Sequence, residues 1–353
     1  MNHRFLALTG LTAVIVAGLL APVPAAGQQA RETAAKATNP RAASTPARTP
    51  WGDPDLQGVY TYATQTPLER PKELGNKAVY TEADLAEMAR KAEAARRDRA
   101  SSGKVSGGYD AVWTIGETGK PSNRTSLIIN PEDGRLPPLT ANGQTIRADI
   151  QADIERRTID GDLHQFSWVD HPTFTRCVSR PMPRIGVGQA YNHGVQILQT
   201  PGNVVIDYES MHDVRIIPVD GRPHIDASIQ QWNGDSRGHW EGNTLVVDST
   251  NFSNKQRFDA THDAITGFPQ GNMHFIERFT KVDATTIEYI VTVEDPTVWT
   301  QPWTVMLPWK TDDPNYQNLE DLYEYACHEG NYRMMDDSLS GGRIAKAKVQ
   351  SSK

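Results

Sequence analysis

The chain has 353 residues, enough for one large domain or two. Its net charge of -7 and pI near 5.8 argue against a nucleic-acid partner, because phosphate binding needs a basic surface. Its two cysteines, Cys177 and Cys327, fit no metal-knuckle spacing.

Residues 1–26 read as a secretion signal. Arg4 supplies a short positive region, Phe5 to Leu20 an apolar core too short for a comfortable span, and Ala25, Ala26 and Gly27 small residues for cleavage. A retained anchor is the alternative. Export to the periplasm or beyond follows from the signal, with no stable membrane insertion, since no later segment is apolar enough to span a membrane as a helix. Export also permits a Cys177–Cys327 disulfide tying the start of the main domain to its end. Two buried free thiols are the alternative.

Residues 27–50, rich in Ala, Thr, Pro and Arg without an apolar period, read as a disordered linker. A single β-rich domain is expected over 51–337. Leu56 to Tyr62 reads as its first strand. Thr81-Glu82-Ala83-Asp84 is a capping box that opens a surface helix to about Arg99. Ala111 to Ile115 and Thr125 to Asn130 read as strands. Ile146, Ile150 and Ile154, at four-residue spacing, mark a second helix running to about Arg157. From Arg176 onward strands dominate. A hairpin is expected over Val195–Glu209, a strand over Val214–Val219, a hairpin turning at Gly242-Asn243, another over His274–Glu294, and a last strand over Trp303–Trp309. Residues 338–353 are expected to fray as a flexible tail. Many short strands without βαβ alternation imply a mainly β fold, an antiparallel barrel-like or sandwich sheet with a few peripheral helices. A barrel is favoured because closure removes exposed edges.

Nine of the ten histidines lie between His164 and His328, and histidine titrates near neutral pH. On a strand, His212, Val214 and Ile216 share one face, while Asp213, Arg215 and Ile217 share the other. That arrangement makes His212 a candidate general base in a partly apolar pocket, or else a core histidine bonded to a backbone carbonyl. Asp235, Ser236 and Arg237 sit between two glycines and read as a turn that hydrogen-bonds its local backbone, or in which Asp235 and Arg237 orient a histidine or clamp an anion; His239 follows on the next strand. Glu277 falls between Phe275 and Phe279 on one strand face. If buried it needs a cation, and Arg215 or Arg237 is the candidate. The catalytic set is thus His212, Asp213, Arg215, Asp235, Arg237, His239 and Glu277. The expected ligand-binding set is Tyr191, His193, Trp232, Trp240 and His328, aromatic surface and polar groups suited to a flat or sugar-like ligand. No His-Glu-x-x-His helix, cysteine pair, Gly-x-Ser-x-Gly elbow, Walker loop or Rossmann fingerprint occurs, so no metal or cofactor is assigned.

Three functions remain open. One is an acid–base enzyme (lyase, isomerase or hydrolase) acting on a small organic molecule. The second is a non-catalytic periplasmic carrier of an apolar or aromatic ligand, and the third a structural envelope-associated protein.

The runs Trp51 to Val59, Met211-His212-Asp213-Val214-Arg215-Ile216-Ile217-Pro218, Gly234 to Gly238, Trp240 to Asp248 and Tyr325 to Tyr332 resemble those of an uncharacterised family of secreted bacterial proteins. The resemblance spans nearly all of the chain after Trp51 and implies no particular activity. Gly58, two residues before Tyr60 on a first strand, resembles the Gly-x-Trp start of lipocalin-like barrels, with tyrosine replacing the tryptophan.

Overall fold

The computed structural model describes residues 47–102, 123–185, 192–258, 267–311 and 322–351. The expected signal segment, most of the expected linker and the strand expected at Ala111–Ile115 lie outside the described residues.

Strand β1 (Gly58–Thr61) is followed by helix α1 (Glu82–Ser102). Its start is the expected capping box: the Thr81 hydroxyl accepts from the Asp84 N–H at 3.2 Å, and the Asp84 carboxylate accepts from the Thr81 N–H at 2.7 Å. Strand β2 (Ile128–Asn130) leads to helix α2 (Ala141–Arg157), capped by the Thr140 hydroxyl. Gly143 lets this helix touch the sheet connection directly, since a Cβ there would lie 2.3 Å from the Val298 carbonyl oxygen.

The other strands of the main sheet are β3 (Gly194–Thr200), β4 (Asn203–Tyr208), β5 (Asp213–Pro218), β6 (Asp235–Glu241), β7 (Thr244–Thr250), β8 (His274–Lys281), β9 (Thr286–Glu294) and β10 (Trp303–Lys310). They form one ten-stranded antiparallel sheet in the order β5-β4-β3-β1-β10-β9-β8-β7-β6, with β2 paired to β10. The two ends of that order are consecutive in the chain and approach each other, so the sheet nearly closes into a barrel. Gly238 on β6 allows the approach, because a Cβ there would meet Ile217 and Val219 side chains at 2.9 Å. This is the barrel that the strand pattern favoured.

Strict alternation fills the barrel. On β9 and β10 every second residue is buried, and Trp303, Trp309, Tyr289, Phe275 and Phe279 are fully enclosed. Phe279, Tyr289 and Trp309 pack with ring centroids 4.7 to 5.3 Å apart. The segment 179–185 caps one end, burying Met182 and Ile185 in the same core.

Four expectations are corrected. His212 is not on a strand: it ends a 3-10 turn (Ser210–His212) with φ of 73° at Met211 and 49° at His212. The two faces of β5 are grouped as expected, but the apolar Val214 and Ile216 are the outer ones, 49% and 64% exposed, while Asp213 and Arg215 point inward beside Ile217. Paired charges outweigh hydrophobicity here, because each inward charge finds an opposite one inside. Asp235, Ser236 and Arg237 are strand residues of β6 rather than a turn. Finally, the expected frayed tail is part of helix α3 (Cys327–Ser351), which is held by the Cys177–Cys327 disulfide and by contact of Ser338 Oγ with His171 Nε2 at 2.8 Å.

Candidate functional site

Inside the barrel, Arg215 on β5 reaches across to Glu277 on β8. Nη1 donates to Oε1 at 2.9 Å and Nη2 to Oε2 at 2.6 Å. The Tyr289 hydroxyl donates to Oε1 at 2.5 Å, and Ser249 Oγ to Oε2 at 3.3 Å. Arg215 Nη2 also donates to Ser236 Oγ at 3.0 Å, which joins the two barrel ends β5 and β6. Burial alone would lower Arg215, but Glu277, with Tyr208 and Tyr289, holds it above its ordinary value. Tyr208 is pushed up to about 12 by burial. Both Glu277 oxygens are engaged and the side chain is 1% exposed, so the pair ties β5 to the facing β8 and offers no free lone pair to a substrate.

Asp213 lies at the capped end. Its carboxylate accepts from Arg184, from the Arg180 backbone N–H at 3.0 Å, from Ser179 Oγ at 3.2 Å and from Asn233 Nδ2 at 3.2 Å. Arg184 stacks over Tyr208, 5.0 Å from the ring centre. Close by, Glu209 is raised by burial, against hydrogen bonds from Asn192 Nδ2 and the Gly194 N–H. His193 is buried edge-on against Tyr62, with ring centres 5.4 Å apart.

The histidines that do gather are on the outer face of β6 to β9. Arg237 Nη1 meets Asp235 Oδ1 at 2.7 Å, and Asp235 Oδ2 meets His224 Nδ1 at 2.7 Å. His224 Nε2 meets Asp248 Oδ1 at 3.0 Å, Asp248 Oδ2 meets His274 Nε2 at 2.9 Å, and His274 Nδ1 meets Glu294 Oε2 at 3.0 Å. The result is a row in which carboxylates alternate with arginine and histidine side chains across four strands. Hydrogen bonding to Asp248 pushes His274 up to about 8, with Glu294 reinforcing and burial opposing. Burial would raise Asp248, but the two histidines hold it below its ordinary 3.8. Because His274 is raised on folding, its stabilisation is complete below its ordinary 6.5 and is lost as pH rises through about 8. Asp248, lowered on folding, stabilises above 3.8 and loses that contribution as pH falls. Thermal midpoints measured from about pH 5 to about pH 9 are therefore expected to fall by a few degrees on the alkaline side, and to fall less in His274→Gln. An equal fall in the variant would assign the effect to other groups.

Among the described residues, two cavities outside the barrel stand out. The larger, about 550 Å³, opens between the turn at 175–177 and α3; Tyr332, Met335 and Leu339 line it beside the disulfide, with Arg176, His328 and Glu329 among its polar groups. The smaller, about 90 Å³, lies between the C-terminal end of α2, the segment 169–176 and residues 255–257.

No protein-family model matches the chain, and no curated protein matches it. Function therefore has to be read from these sites.

The expected site residues separate into distinct places. Arg215 and Glu277 meet in the barrel, and Asp213 sits at its capped end. Asp235 and Arg237 join the outer row, while His239 is exposed beside Glu241 at 3.2 Å. His212 is exposed, and its Nε2 accepts the Tyr325 N–H at 2.9 Å, so the lone pair expected of a base is occupied. In the ligand-binding set, His193 is buried in the core, Trp240 packs against the core from the side of β6, and Trp232 is half-buried. His328 lines the larger cavity, and Tyr191 lies outside the described residues. Sequence reasoning missed His224, Asp248 and Glu294. The alternation of β7 places Asp248 outside, opposite Ile276 on β8, which was legible; His224 lies between strands and carried no such signal.

Proposed function

We propose that the protein is an exported binder of a small apolar or aromatic molecule, seated in the cavity between α3 and the 175–177 turn. One observation carries this reading. The cavity's volume, about 550 Å³, is that of small-molecule sites, and the surface it exposes is mostly apolar although polar residues such as Arg176, His328, Glu329 and Asp336 also line it. Tyr332, 81% exposed, offers an aromatic face that its own fold does not cover, and His328 adds a polar contact. The barrel interior is filled by its own aromatic side chains, so it does not compete as the binding place. The acid–base reading is weaker, because its base, His212, is exposed and already accepts a backbone hydrogen bond.

The fluorescent aromatic probe anilinonaphthalene sulfonate tests the reading on the folded, oxidised chain. Saturable binding is expected, weakened about tenfold by Leu339→Glu, which places a charge in the apolar wall, and several-fold by Tyr332→Ala. Unchanged affinity in both variants, with unchanged circular dichroism, would exclude this cavity.

A further inference from the structure

The smaller cavity has a different chemistry. It is lined by four fixed cations, Arg157, Arg176, Lys255 and Arg257, in a protein whose net charge is -7. Its two carboxylates, Asp153 and Asp170, are already engaged. Asp153 accepts from Arg156 and, at 2.8 Å, from Arg157 Nε. Asp170 accepts from the backbone N–H groups of Phe166 and Ser167, both at 2.9 Å. Arg157 is also largely satisfied, donating to the His164 carbonyl at 3.2 Å and to Gln165 Oε1 at 2.8 Å.

The other three cations are not. Among the described residues the side chains of Arg176, Lys255 and Arg257 make no hydrogen bond, and Arg176 Nε is buried without an acceptor. Arg176 stacks over Trp168, 5.1 Å from the ring centre, which fixes its guanidinium but leaves its donors unused. Burial holds Arg176 below its ordinary value, the mark of a cation lacking a counter-charge. His171, in the same wall, is lowered first by burial and further by Arg176 and Arg157, against Asp170, so it is neutral at neutral pH. Four cations against two carboxylates leave an excess of two positive charges around a space of about 90 Å³.

We propose that this cavity binds a tetrahedral oxyanion of the phosphate or sulfate class. A dianion matches the excess charge, and guanidinium forks present paired donors suited to oxyanion edges. The volume holds several water-sized groups, enough for one such anion but not for a large organic body. The site is separate from the apolar cavity except for Arg176, which lines both. Lys255 and Arg257 line only this one and lie on the surface, so their substitution leaves both the core and the proposed ligand cavity intact.

The test is calorimetric titration of the full folded chain with inorganic phosphate, sulfate and methyl phosphate, using chloride at matched ionic strength as the control. One site is expected for phosphate and sulfate, weakened about tenfold by Arg257→Gln and by Lys255→Gln, since each removes a charged hydrogen bond. Methyl phosphate binding as tightly as phosphate would identify the phosphoryl group of an organic ester as the ligand; much weaker binding would identify the free ion. Either result supports an oxyanion site. Heats no larger than those of chloride, or equal affinity in both variants, would overturn it. Binding of anilinonaphthalene sulfonate in the apolar cavity should be unchanged in Lys255→Gln, so the two sites fail independently.

Discussion

Glu277→Ala is expected to destabilise the barrel by about 3–5 kcal/mol, because it leaves the Arg215 guanidinium buried without its counter-charge. The guanidinium also donates to Tyr208, Ser236 and Ser249, and without Glu277 it retains only these hydroxyl partners. Arg215→Ala should cost a similar amount, through an unpaired carboxylate. The double variant Arg215→Met/Glu277→Leu is expected to be more stable than either single variant, since it removes both charges and refills the space. Urea midpoints for the wild type, Arg215→Met, Glu277→Leu and the double variant measure the coupling. If the two single losses simply add in the double variant, the pair does not act as a unit. The network also joins β5 to β6 through Ser236, so the single variants should expose amides of those two strands to hydrogen exchange first.

Removing the disulfide is the second large effect. Cys177 and Cys327 close a loop with a sequence separation of 150, for which the chain-entropy model gives about 5 kcal/mol as an upper figure and measured bridges about 2–5. Cys177→Ala/Cys327→Ala is expected to lose stability in that range. A local effect should come first. Cys327 opens α3, and beyond it the helix is held by lesser contacts such as Ser338 with His171 and the burial of Ala345. Limited proteolysis of the double variant should therefore cut within 322–351 before it cuts the barrel. The apolar cavity loses its α3 wall in the same step, so binding of anilinonaphthalene sulfonate there should fall with reduction. Simultaneous cleavage of helix and barrel would mean that α3 is held by more than the bridge.

The strands were legible because each hairpin combines a period-two pattern with a turn at its tip. The runs around Pro201-Gly202, Gly242-Asn243 and Asp283 fold as read, and so do the helices opened by Thr81 and ended by Arg157. Glu277 was legible as a carboxylate that needs a cation if it is buried, because its neighbours on the same face are Phe275 and Phe279; the burial itself was left open. The partner was narrowed to Arg215 or Arg237 but not chosen, since sequence period gives faces and not distances across a barrel.

Alone, then, the sequence determined the strands, their alternation and thereby the mainly β class, because these depend on backbone geometry and neighbours a few residues apart. Only the tertiary structure decided which face of β5 is inside. Hydrophobicity favours Val214 and Ile216, but the inward choice rests on Arg184 and Glu277, tens of residues away, which make Asp213 and Arg215 the better core residues. It likewise set His212 apart from Asp213, drew Asp235 into a row with His224, Asp248 and His274, and brought Arg157, Arg176, Lys255 and Arg257 around one cavity. Such groupings depend on long-range closure, and closure is fixed by which buried charges find partners.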